Sequence, residues 1–170
     1  METATARQTM ILKNESPFIG YVLAALMLLT LLNSAYFFLA IAKFKIGEWL
    51  SFNACSLATI VYLICFASYR ITKKSIYLAI AFLPLYYYGT MGLFMMPWNA
   101  ANLFTQITHI VITLNVIWIL FLLLKDARSK SLGKGLLIGI IIFVPVFAVI
   151  QHYSQMHLTE FMQMLHKVQY

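Results

Sequence analysis

Residues 18–42 read FIGYVLAALMLLTLLNSAYFFLAIA, without one Asp, Glu, Lys or Arg. A bilayer's hydrocarbon core is crossed by about 20 apolar helical residues, so this run is a membrane span. It is longer than the roughly 7–15-residue core of a secretory signal, and no small-residue cleavage site follows it, which makes it a retained first span. Ser16 and Pro17 ahead of it suit a helix start, with the hydroxyl as cap and the proline at the first helical position. The polar stretch 1–17 is an amino tail, and it lacks the Gly at position 2 that myristoylation needs.

The rest of the chain repeats the pattern. Of 170 residues, 62% are hydrophobic and 10% charged, whereas a soluble domain carries about 25% charged residues. So few charges cannot coat a soluble fold, and the apolar runs leave no length for a separate catalytic module. Membrane β-strands alternate apolar and polar positions over about 10 residues, whereas these runs are continuous. A second span is expected from Trp49 to Tyr69, its two aromatic rings marking the interfaces. A third runs from Ser75 to Met96, with a kink predicted at Pro84. The turn Pro97–Trp98–Asn99 leads into a fourth, about 100–124, and a fifth starts at Leu136, contains Pro145 and ends near Ile150. In the tail, Tyr153, Met156, Phe161, Met164, Leu165 and Val168 recur at helical spacing opposite Gln155, Thr159, Gln163 and Lys167, the pattern of an amphipathic helix. The expectation is an all-α, polytopic integral membrane bundle: five transmembrane helices over 18–150 and an interfacial helix over 151–170.

The formal net charge is +7, but the basic residues sit in short loops between spans rather than on a surface that would track nucleic acid. The amino tail, the loop at Arg70–Lys74 and the loop 125–135 carry nine Lys and Arg, against three (Lys43, Lys45 and Lys167) on the other side. Positive loops favour the cytoplasm, so the amino terminus is expected inside and the carboxyl terminus outside a cell membrane, plasma or inner. Cys55 and Cys65 are separated by ~15 Å of helical rise, too far to bridge, and read as packing residues.

The fourth span, ANLFTQITHIVITLNVIWILFLLL at 101–124, departs from plain lipid solubility. At 100° per residue from Asn102, the positions Asn99, Gln106, His109 and Thr113 fall within about 60°, with Thr105 at the edge of the arc. Leu103, Ile107, Ile110, Val111 and Ile112 lie on the other side. An unpaired amide in hydrocarbon costs several kcal/mol, so this stripe must meet other spans, water or a ligand. It is expected to line a small-molecule site of Asn102, Gln106, His109 and Thr113, with Trp98 and Asn99 at the mouth. Interhelical hydrogen bonding is the plainer use of the same residues. Asn33 and Ser34 in the first span, and Asn53, Ser56 and Thr59 in the second, are candidates to face the stripe.

His109 and His152 come out at similar depth when counted from the loop between the last two spans, the arrangement a b-type haem needs from two axial ligands. With His157 and nearby Met91, Met95, Met96 and Met156, they also raise a copper(I) alternative. No Asp or Glu lies inside a span, which argues against a carboxylate-driven ion pump. No phosphate loop, HExxH, GxSxG or CxxC motif occurs, so the expected protein is not an enzyme. It is a small multi-pass protein, in a lipid bilayer, that binds or conducts a small polar or amphipathic molecule. It acts as a homo-oligomer or subunit, with a structural or accessory role in a larger membrane complex as the alternative.

Overall fold

The computed structural model describes residues 17–125 and 129–169; the amino tail and the Ser16 cap lie outside the described residues. Among them, five helices are long and apolar enough to cross a membrane: Phe18–Ile41, Ala54–Thr72, Ile76–Met95, Leu103–Leu124 and Leu132–Met156. No strand occurs among the described residues. The fold is a helical membrane bundle, the architecture in which every spanning segment satisfies its own backbone.

The first span is α1 (Pro17–Ala35), which widens into a π-helical turn at Tyr36–Ile41. A short helix α2 (Ile46–Phe52) precedes the second span, α3 (Ala54–Thr72). The third comprises α4 (Ile76–Pro84), a π-helical stretch Leu85–Thr90 and α5 (Met91–Met95). A 3₁₀ turn, Ala100–Asn102, leads into the fourth, α6 (Leu103–Lys125). The fifth is α7 (Ser129–Met156), followed by α8 (Leu158–Gln169).

The second, third and fourth spans form the middle of the bundle. The first packs on α3 and α6, and the fifth lies along α4. The core between them is built on Met27, Tyr62, Leu78, Ile112, Ile119 and Leu123. Water does not drive helices together inside lipid, so close packing has to do it, and small residues permit it. Gly135 and Gly139, spaced four apart on α7, serve that purpose. A Cβ on Gly135 would stand 2.3 Å from the Ala79 Cβ and 3.1 Å from the Ile76 carbonyl. Gly139 faces the Ile80 carbonyl, the oxygen that Pro84, having no N–H, leaves without its helical donor. The π-helical stretch starts immediately after that proline, so the predicted disturbance at Pro84 is a change of helical winding.

Four boundaries differ from the sequence reading, the first being the fifth span's start, at Leu132 rather than Leu136, because the Gly- and Lys-bearing stretch before it is already helical. The second span begins at Ala54, not Trp49, because Asn53 adopts a non-helical backbone (φ −111°, ψ 67°) that separates α2 from α3. Trp49 is therefore no interface marker: its ring is buried and its indole N–H donates to Ser34 Oγ at 3.0 Å. Tyr69 is buried as well. The fifth span continues past Ile150 to Met156, since Gln151, His152 and Ser154 are polar but compatible with the emerging end of a helix. The tail helix then starts at Leu158 and docks back on the bundle. Phe161, 1% exposed, sits between Phe44 and Phe52 with ring centroids 5.6 and 5.3 Å away. Met164 and Leu165 flank that cluster, while Tyr153 and Met156 belong to the fifth span and are exposed.

Candidate functional site

Gln106 and His109 do turn inward, away from lipid: they are 0% and 4% exposed. The Gln106 amide donates to the Met96 carbonyl at 2.8 Å, which ties the end of α5 to the fourth span just where the chain leaves the helix. The His109 ring lies on the Gly92 backbone, where a Cβ would stand 2.5–2.9 Å from three ring atoms. Thr113 donates to the His109 carbonyl at 2.8 Å, and its hydroxyl is 3.4 Å from that of Thr90. Gln106, His109 and Thr113 are thus brought together against the third span. Gln106 Oε1 and His109 Nδ1 are buried there without a hydrogen-bond partner.

The outer part of the stripe has another role. Asn99 Oδ1 accepts the Asn102 amide at 2.9 Å, and the Asn102 side chain donates to the Pro97 carbonyl at 3.1 Å. These bonds shape the turn into α6 and start its first 3₁₀ turn. Trp98 stands at the surface, 63% exposed. The structure joins Asn99 and Asn102 to each other, and leaves Trp98 outside the buried group.

The other flank of the same helix borders a cavity of about 90 Å³ between the first, second and fourth spans. Thr105 and Thr108 line it from α6, Thr30, Asn33 and Ser34 from α1, and Asn53, Ser56 and Thr59 from the second-span side. The first- and second-span polar residues that the sequence marked as partners of the stripe therefore face Thr105 and Thr108, one flank away from Gln106 and His109. Ser34 is the hub. Its oxygen accepts from Trp49 Nε1 at 3.0 Å and from Asn53 Nδ2 at 2.8 Å, and lies 3.0 Å from the Ser56 hydroxyl. The break at Asn53 makes this possible, because it turns that amide out of the helix and toward the first span. The Cys55 thiol donates to Asn53 Oδ1 and holds the amide in that orientation.

The cavity is rich in acceptors. Thr30, Thr59 and Thr108 each donate their hydroxyl hydrogen to a backbone carbonyl of their own helix, Met27 at 2.9 Å, Cys55 at 2.9 Å and Phe104 at 3.2 Å. Their lone pairs remain as the polar surface on offer. No Asp, Glu, Lys or Arg is among the lining residues. Phe37 and Phe38, on the π-helical turn of the first span, complete the wall. Such turns re-aim side chains and recur at functional sites.

Thr30, Thr108 and Asn115 are absent from the sequence-derived site. Asn115 is fully buried and donates to the Val111 carbonyl at 2.9 Å, with the Leu23 carbonyl of the first span at 3.5 Å. It lies off the stripe, and its signal was a lone amide in an apolar run. Val111 and Ile112, assigned to the face away from the stripe, are buried too: the fourth span is covered from two sides, so no single arc describes its interior.

His109 is enclosed by the third span, whereas His152 is exposed on the fifth. The thioethers of Met95 and Met156 point outward. No group of three or more His, Cys, Asp or Glu converges for a metal among the described residues. No protein-family model, curated protein or solved structure matches this chain.

Proposed function

We propose that this membrane protein takes up a small neutral molecule, or the polar head of an amphipathic one, in the cavity beside the outer half of the fourth span. The observation that carries this reading is a lining of hydroxyls and amides between otherwise apolar spans. Polar surface in hydrocarbon is costly unless something bonds to it. A cavity of about 90 Å³ exceeds the ~10–15 Å³ that one water needs, so it admits several waters or a molecule of a few heavy atoms. The uncharged, acceptor-rich lining favours a hydrogen-bond donor such as an alcohol, a polyol or a urea-like amide. The role is one of binding or passage rather than catalysis.

The nine-to-three distribution of Lys and Arg supports an amino terminus in the cytoplasm, which puts the cavity in the outer leaflet of a cell membrane. Saturation-transfer NMR on the protein in nanodiscs, with glycerol and urea offered in turn, tests the reading. Transfer to at least one solute is expected, and its loss in the isosteric double variant Thr105→Val/Thr108→Val. No transfer to either solute, or equal transfer in the variant, overturns it.

A second reading, a subunit of a larger membrane assembly, is favoured by the first span, of which only 11% is buried within the chain. Light scattering on the purified protein distinguishes a lone monomer from a homo-oligomer.

A further inference from the structure

A second recess lies at the outer end of the bundle, between α2 and the last turns of α7, and shares no lining residue with the cavity above. It is an open groove of about 510 Å³. Its two walls differ in chemistry: Lys45, Glu48 and Ser51 on the α2 side, Val149, Ile150 and Tyr153 on the α7 side. Gly47 lies at its opening, where a Cβ would meet nothing within 4 Å.

The charged wall carries both signs. One carboxylate oxygen of Glu48 accepts the Lys45 backbone N–H at 2.7 Å, which fixes the start of α2 and sets the two side chains one helical turn apart. The Lys45 ammonium makes no ion pair among the described residues. The second Glu48 oxygen makes no bond among them either. A purely anionic ligand would meet Glu48 as well as Lys45, and a purely cationic one the reverse. A ligand with a phosphate and an ammonium a few ångströms apart meets both in register.

The apolar wall continues into the membrane. Ile142, Val146, Val149 and Tyr153 are all exposed, and their spacing of four, three and four places them on one face of α7. That row extends for ~16 Å of helical rise, a length suited to an acyl chain. Its upper end, in the last turns of the fifth span, is at the depth of lipid headgroups.

We propose that this recess binds a phospholipid whose headgroup carries a primary ammonium, of the phosphatidylethanolamine class. Lys45 holds the phosphate, Glu48 accepts the ammonium hydrogens, and one acyl chain lies along the Ile142–Tyr153 row. The quaternary ammonium of a choline lipid has no hydrogen to donate to Glu48, and a glycerol headgroup lacks the positive charge.

Native mass spectrometry on delipidated protein tests this, with ethanolamine, choline and glycerol phospholipids of identical acyl chains added separately. The ethanolamine lipid is expected to be retained about threefold or more over either competitor, the scale of one partly exposed charge pair. Glu48→Gln should abolish that preference. Lys45→Gln keeps the backbone bond that starts α2, so it remains informative if the Glu48 variant does not fold. It should lower retention of all three lipids. Equal retention of the three by the unaltered protein, a preference for the glycerol lipid, or unchanged retention in Lys45→Gln overturns the assignment.

Discussion

The contact between the third and fifth spans and the contact among the first, second and fourth solve one problem in opposite ways. Both hold helices together where lipid is as apolar as the side chains. At Gly135 the two backbones approach until there is no space for a methyl group. Around Ser34 the helices stay further apart, joined by indole, amide and hydroxyl bonds, and leave about 90 Å³ unfilled. Close packing is rigid and leaves no space for a guest. Polar bridging keeps a gap open and gives it chemistry. The proposed site lies on the loosely packed side of the molecule.

That contrast is broken most directly at Gly135. Gly135→Ala puts a methyl group against the Ala79 Cβ, with the Ile76 carbonyl beside it, and overpacking of this kind costs ~1–3 kcal/mol or more. Gly139→Ala, whose nearest neighbour would be 3.4 Å away, should cost little. Thermal unfolding in detergent should show a large loss for the first and a small one for the second. Equal losses would mean that the two spans are not held by close approach. On the polar side, Ser34→Ala removes the acceptor of two side-chain N–H groups. A loss of about 1–2 kcal/mol is expected, between the modest average for hydrogen bonds in membranes and the cost of stranded donors. Unaltered stability would show that Ser34 is not the hub. Gln106→Leu should cost less than Ser34→Ala, about 1 kcal/mol or less, because it gives up the bond to Met96 but also removes a buried oxygen that has no partner. A loss as large as that of Gly135→Ala would make the stripe the main clamp of the bundle.

Much of this was readable from residue order. The five spans were, because an apolar run in lipid must be a helix whatever its neighbours are. The inward turn of Gln106 and His109 was, because helical periodicity is local. The second-span start was misread, since Trp49 suits a membrane interface by type and only the Asn53 backbone shows that it is buried under Ser34. The fifth-span end was misread for a related reason: polarity at Gln151 and His152 marks emergence from lipid, and emergence need not end a helix.

Two kinds of information thus come from two scales. Span number and the inward turn of Gln106 and His109 follow from the chain alone, since backbone hydrogen bonding and the 3.6-residue period act within one segment. The grouping of Ser34, Asn53 and Thr105 around one cavity, with His109 packed on the third span one flank away, does not. It depends on how the spans rotate and slide against one another. That register is set by contacts between distant positions, such as Gly135 on Ala79 and Gly92 under His109, and no local pattern in the sequence encodes it.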